Sequence, residues 1–178
     1  MKNGTTVKVD GEVVVLGLGS NLGQSARLLG TACTRLATYA RGPLLRSSCW
    51  RTAPVDCPPG SGDFLNAIVA FEPRHGLTPE TLLYRLKQLE QQFGRAERSE
   101  RHAPRELDID LLLFGERRVQ SDWLTLPHPR ALDRRFVLAP AAEVLPTLRW
   151  PGTGATLEQH LEQLPVAEPV ERLEVAGW

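Results

Sequence analysis

The sequence predicts an α+β fold in which a small antiparallel sheet carries its helices on one face. Three observations point there. Four short stretches have the β-branched or alternating pattern of strands, two stretches have an apolar stripe at helical spacing, and they follow one another as strand, helix, strand, strand, helix, strand. The chain has 178 residues, 42% hydrophobic and 24% charged, which suits a single globular domain with a real core.

The first strand is the run Val13, Val14, Val15, Leu16 and Leu18, expected to end in a turn at Gly19-Ser20-Asn21. Leu28, Leu29, Ala32, Cys33, Leu36 and Ala37 then give one apolar helical face, which should stop near Arg41-Gly42-Pro43. Leu44 to Arg51 reads as the second strand, and Ala53 to Gly62, with three prolines and two glycines, as a loop. Phe64 to Phe71 is the third strand. Its period of two puts Leu65, Ala67, Val69 and Phe71 on one face and Phe64, Asn66 and Ile68 on the other.

Thr78-Pro79-Glu80 is a helix start, with a capping hydroxyl, a proline suited to the first helical position and an acid at the positive dipole end. Leu82, Leu86, Leu89 and Phe93 form the stripe of that helix, Gly94 ends it, and Arg95 to Arg105 is loop. Leu107 to Phe114 is the fourth strand. This order is the split βαβ pattern of ferredoxin-like folds, βαββαβ, with both helices on one face of an antiparallel sheet. A C-terminal extension is expected to add helices near Arg130 to Leu138 and Thr156 to Leu164, with 1–12 and 165–178 as peripheral tails.

Zero formal net charge and a pI of about 6.9 leave no global field to gather nucleic acid or an anionic membrane. Cys33, Cys49 and Cys57 fit no metal-ligand spacing and read as reduced thiols. The N-terminus lacks an apolar signal core, and no run of about 18 apolar residues occurs, so a cytoplasmic protein is expected.

Asp108 and Asp110 stand two apart on a strand and therefore project from the same face, about 6.6 Å apart along the chain. Aspartate is a poor strand former and like charges repel, so the pair suits a hard cation such as magnesium, although an isolated pair of this kind is more often a solvated strand face. The preceding loop carries Arg95, Arg98, Arg101 and Arg105, whose guanidinium forks match phosphate oxygens, although Glu97, Glu100 and Glu106 could pair with some of them. Gly17 to Gly23 fits neither nucleotide-loop pattern, which leaves a tight turn or a pocket lining by Asn21 and the Gly19 backbone. Phe64 and Phe136 suit a core, while Asn66 beside Phe64 could read the edge of a flat heterocycle. His128, stiffened by Pro127 and Pro129, could bind phosphate or a base edge, or cap local structure.

Gly19-Ser20-Asn21-Leu22, Phe64-Leu65-Asn66-Ala67, Glu90 with Gly94-Arg95, Pro104-Arg105 with Leu107-Asp108-Ile109-Asp110, and Pro127-His128-Pro129 with Arg134 and Phe136-Val137-Leu138 occur in this order. From about Val13 to Leu164 the chain thereby resembles the 6-hydroxymethyl-7,8-dihydropterin pyrophosphokinases of folate biosynthesis. The resemblance implies pyrophosphate transfer from ATP to the pterin hydroxymethyl group, with two Mg2+ ions held by Asp108 and Asp110. It also implies that Arg95 and Arg105 clamp phosphate and that Phe64 and Phe136 sandwich the pterin. Asn66 would read the pterin edge, helped by backbone groups near Thr52 and Val55. Glu90, Arg98, Leu111, Thr125, His128 and Arg134 would fall around ATP. Lys87 and His102-Ala103 depart from the family pattern.

The loops 53–62 and 95–104 are candidate lids over such a site. The expected partners are ATP and the pterin, with no nucleic acid or membrane, and the chain is expected to act as a monomer. Two other readings share the fold. A nucleotidyl-transfer or cyclase palm also sets metal-binding carboxylates on such a sheet but does not explain Phe64, Asn66 and Phe136. A non-enzymatic ligand-binding module would leave the acid pair as surface.

Overall fold

The computed structural model describes residues 11–21, 24–54, 62–93, 107–165, 169–175 and 178. Its main sheet contains β1 (Val14–Ser20), β2 (Leu45–Arg46), β3 (Cys49–Thr52), β4 (Phe64–Phe71), β5 (Asp108–Phe114) and β8 (Val170–Leu173). The order across it is β5-β1-β4-β3-β8, with β2 also paired to β4, and every pairing is antiparallel. A separate two-stranded ribbon joins β6 (Val119–Gln120) to β7 (Thr125–Leu126).

The expected strand Leu44 to Arg51 is interrupted at Ser47-Ser48. There the Ser47 hydroxyl, 2.9 Å away, accepts the Ile68 N–H that a neighbouring carbonyl would otherwise take, so a side chain competes with the ladder. Beyond the break, Cys49 enters the core.

Helices α1 (Ser25–Leu36) and α2 (Pro79–Gln92) cover one face, as the apolar stripes predict. Leu29, Ala32, Leu36, Leu82, Leu86 and Leu89 pack there on Leu16, Leu18, Val69, Phe71, Ile109 and Leu111. The α2 start is capped as expected, Thr78 Oγ1 accepting the Thr81 N–H at 3.2 Å.

Helices do not stay on that face. The helices α3 (Arg135–Val144) and α4 (Leu157–Gln163) cover the other side, where Val137, Leu138, Ala141 and Leu157 pack on Val13, Val15, Ile68, Ala70 and Leu113. The third helix begins later than the expected 130–138 and runs through Pro140, which is buried and does not end the helix. A capping box between Thr156 and Gln159 starts α4 where expected.

The tail reading of 165–178 is corrected by β8, which pairs with β3 from Cys49↔Leu173 to Thr52↔Val170. Trp178 also packs on the first core, and its Nε1 donates to the Ser47 carbonyl at 2.6 Å. Among the described residues no helix is long and apolar enough to cross a membrane.

Candidate active site

On the sheet face that carries α3 and α4, Gly17 and Gly19 leave one end of β1 without side chains, and the strip they leave between the flanking strands is called the trough below. The register sets Asp108 opposite Gly19 and Asp110 opposite Gly17 on one side, and Asn66 opposite Gly19 on the other. Asp108, Gly19, Asn66 and Trp50 thus form one row across four strands. A Cβ built on Gly19 would lie 3.4 Å from Asn66 Oδ1, and one on Gly17 would lie 3.4 Å from Leu112 Cδ1. The sequence reading expects the turn to begin at Gly19, with a pocket lining by its backbone as the alternative; the strand instead runs on through Gly19 to Ser20, and the alternation of the two glycines is the available signal for a cleared face.

On the β5 side of the trough, the alternation predicted for the aspartates holds. Ile109 and Leu111 point to the first core while Asp108 and Asp110 take the trough face. Leu112 is the extra residue of a bulge opposite Val15/Leu16, and its carbonyl accepts the His128 N–H at 2.9 Å. This bond brings the stiff Pro127-His128-Pro129 segment alongside the acids.

Burial first, and then the charge of Asp108, push the Asp110 carboxyl above its ordinary range; His128, Lys87 and Arg134 pull it back. Burial, followed by the charges of Arg134 and Arg130, pushes His128 down, against the pull of Asp110. His128 Nδ1 accepts the Arg130 N–H at 3.2 Å, so the neutral ring carries its proton on Nε2.

Glu90 does not lie in the trough. It is 0% exposed, and its Oε1 accepts the Ile109 N–H at 2.8 Å on the outer edge of β5. Lys87 Nζ sits 2.9 Å from the other oxygen. Burial raises the Glu90 pKa most, Lys87 opposes it, and a hydrogen bond with Asp108 raises it further. The side chain expected around ATP is thus engaged by the strand and by Lys87. Glu90 holds the strand between the two aspartates from behind, and Lys87 supplies its counter-charge. The Leu111 side chain is buried in the first core, so its backbone is the part that can meet a ligand.

On the other side, Asn66 is 8% exposed, and its Nδ2 donates to Thr52 Oγ1 at 2.9 Å. That bond orients the amide with Oδ1 toward Gly19, an acceptor aimed over the floor. Phe64 shares the Asn66 face and is only partly buried. Phe136, at the start of α3, is also partly buried, and the Arg134 guanidinium lies 5.4 Å from its ring centroid.

The structure thus sets Asp108, Asp110, His128, Arg134 and Phe136 together on one side of Gly19, and Phe64, Asn66 and Thr52 together on the other. Thr125 is exposed on β7, two residues before Pro127. Val55, Arg95, Arg98 and Arg105 lie outside the described residues. Trp50 and Glu143 were missed by the sequence reading. The indole Nε1 of Trp50 donates to Glu143 Oε2 at 2.9 Å, a contact across 93 positions that no local pattern reveals.

Comparison with known proteins gives this arrangement a context. The family model for 7,8-dihydro-6-hydroxymethylpterin-pyrophosphokinase (HPPK) matches residues 15–146. A 2-amino-4-hydroxy-6-hydroxymethyldihydropteridine pyrophosphokinase of Synechocystis sp. is 39% identical over 150 residues, 84% of this chain and 75% of the relative. Its namesake in Bacillus subtilis is 35% identical over 148 residues, 83% of this chain and 86% of the relative. A folate synthesis bifunctional protein of Arabidopsis thaliana is 37% identical over 136 residues, which span 76% of this chain but only 28% of that protein. The solved HPPK-DHPS in complex with substrates superposes with a TM-score of 0.68 at 13% identity, covering 85% of this chain and 43% of that one. At that identity the superposition speaks for the fold alone. From the family match and the similarity to these relatives, the chain belongs to the 7,8-dihydro-6-hydroxymethylpterin-pyrophosphokinase family.

Proposed function

We propose that the trough between Asp108/Asp110 and Phe64/Asn66 is where this chain performs its family's reaction. The chain transfers pyrophosphate from ATP to the hydroxymethyl group of 6-hydroxymethyl-7,8-dihydropterin, giving the pterin diphosphate and AMP in folate biosynthesis. The observation that carries the site assignment is the shared row. Asp108 and the oriented Asn66 amide face each other across Gly19, and Asp110 stands one step along the same face opposite Gly17. The sheet order, with α1 and α2 on one face, supports a ferredoxin-like βαββαβ core extended by α3, α4 and β8.

The donor set fits magnesium. Asp108 and Asp110 supply hard oxygens from one strand face, and the Asp110 carboxyl is held above its ordinary range by burial and its neighbour, a repulsion that a cation relieves. Among the described residues no group of three or more His, Cys, Asp or Glu side chains could hold a metal. Two carboxylates completed by phosphate oxygens and water are what magnesium accepts. When bound, it would neutralise the polyphosphate and polarise the β-phosphorus.

The chain's own groups then have separable tasks. Phe64 and Phe136 flank the flat pterin, while Asn66 Oδ1, fixed by Thr52, accepts a ring N–H and sets its orientation. This points the hydroxymethyl group along the Gly19 floor toward the acids. Its oxygen forms a bond to the β-phosphorus as the bond from that phosphorus to the α,β-bridging oxygen breaks, AMP leaves with the bridging oxygen, and the hydroxyl proton is released to solvent. Arg134 and the Nε2–H of His128 face the growing negative charge, joined by Arg95, Arg98 and Arg105 of the preceding loop. Thr125 and the Leu111 backbone are proposed to border the nucleotide. Buried, protonated Cys33 and Cys49 support a cytoplasmic setting, where the chain is proposed to act as a monomer.

Phosphorus NMR of the full chain with ATP, magnesium and 6-hydroxymethyl-7,8-dihydropterin tests the reaction. AMP and a pterin diphosphate should accumulate together, whereas ADP with a pterin monophosphate would reject the assignment.

A further inference from the structure

Glu143 stands in α3 two turns after Phe136, so both side chains leave the helix on the same side, about 10 Å apart along its axis. Four donors saturate its carboxylate. Oε1 accepts from Ser48 Oγ at 2.7 Å and faces Arg172 Nη2 at 3.0 Å. Oε2 accepts from the Ser48 N–H at 3.1 Å and the Trp50 indole at 2.9 Å. Arg172 Nε also donates to Ser48 Oγ at 2.8 Å, which closes a ring of contacts among α3, β3 and β8. A carboxylate has about four lone-pair sites, so this one is fully used.

The strand tied down in this way is the one that orients Asn66. Trp50 pairs with Asn66 across β3 and β4, and Thr52, two residues on, receives the Asn66 amide. The rest of α3 meets the sheet through Val137, Leu138 and Ala141, whose packing is non-directional. Charge-assisted hydrogen bonds supply direction. They fix how far the helix slides and turns over the sheet, and with it the gap between Phe136 and the Phe64–Asn66 face.

We propose that Glu143 is a positioning residue for pterin binding. Through Ser48, Trp50 and Arg172 it sets the spacing of the two aromatic walls and makes the C-terminal strand part of the site's support. The inference rests on reading Phe136 as a wall of the pterin pocket. A radial gap of about 0.5–1 Å already forfeits a quarter to a half of a dispersion contact, so a small shift of α3 is felt as lost stacking.

The test uses the full chain with magnesium and a non-hydrolysable ATP analogue, comparing wild type, Glu143→Gln, Trp50→Phe and Phe136→Ala. Pterin affinity is read by fluorescence, nucleotide affinity by calorimetry, and steady-state rates by AMP release. Glu143→Gln should raise the pterin Kd and KM by about tenfold, the loss of roughly one charge-assisted bond. Nucleotide affinity should stay within about twofold and kcat within about threefold of wild type. Trp50→Phe, which removes one donor, should change the same quantities in the same direction by less, and it carries the test if Glu143→Gln does not fold. Parallel weakening of pterin and nucleotide, or wild-type pterin affinity in a folded Glu143→Gln, would overturn the positioning role. Loss of pterin binding in Phe136→Ala with wild-type binding in Glu143→Gln overturns this inference alone. Unchanged pterin affinity in Phe136→Ala overturns the pocket reading beneath it.

Discussion

Gly19→Ala separates a functional glycine from a structural one. Gly19 lies in β1 without a left-handed backbone, and an added Cβ would meet only Asn66 Oδ1, at 3.4 Å, an ordinary contact distance. The fold should therefore accept the methyl group. Removing a glycine from a strand interior restricts the unfolded chain and stabilises by about 0.5–1 kcal/mol, or about 2 °C in Tm for a chain of this size. Function should move the other way. The methyl stands about 1.5 Å above the floor between Asp108 and Asn66, beside the oxygen proposed to accept from the pterin. Displacing a ligand held in van der Waals contact by that amount should lower kcat/KM about 30-fold, roughly 2 kcal/mol of transition-state stabilisation. Coupled detection of AMP and thermal unfolding on the same preparation measure both effects. A variant with kcat/KM within twofold of wild type, or one clearly less stable than wild type, would refute the reasoning that β1 is cleared for substrate.

Three further outcomes follow from the same geometry. Phe136→Ala should raise the pterin Kd by about tenfold to a hundredfold with little change for ATP, as titration of each ligand will reveal. Burial pushes Cys33 up to about 11 and Cys49 to about 12 from an ordinary 9.0, so both thiols should resist alkylation at pH 8 until the chain unfolds. Because these folded values lie above the unfolded one, their contribution to stability is complete below pH 9 and lost as pH rises through about 11 to 12, which alkaline denaturation will show. Asp110 is raised as well, so its contribution is complete below an ordinary 3.8 and lost as pH rises through its folded value. Without magnesium, Asp110→Asn should therefore be more stable than wild type at pH 7, the difference should close toward pH 4, and magnesium should stabilise wild type preferentially.

Much of this site was legible in the sequence because strand periodicity is local. Two residues apart means one face, and this placed Asp108 with Asp110 and Phe64 with Asn66 before any coordinates. The strand was ended too early, at Leu18, because Gly19-Ser20-Asn21 resembles a turn when its neighbours across the sheet are unknown. Only the register shows that the bare face of Gly19 lies between an acid and an amide. Glu90 was placed around ATP by the family resemblance alone, and no local pattern shows that its partners include a backbone N–H and Lys87. The expected end of α3 at Leu138 falls short because a proline such as Pro140 normally interrupts a helix, whereas the buried Pro140 is accommodated here and the helix runs on to Val144. β8 and the Glu143 contacts depend on partners about a hundred residues away, beyond any pattern in one sequence.

The central claim is that the acid pair on β5 serves pyrophosphate transfer and is not a solvated strand face. Single-turnover AMP release, measured against magnesium concentration for wild type and Asp110→Asn, tests it most directly. Wild type should release one AMP per site in a magnesium-dependent burst, while a folded Asp110→Asn should be slowed by at least about a thousandfold at every magnesium concentration. A wild-type burst and magnesium dependence in Asp110→Asn would contradict the account.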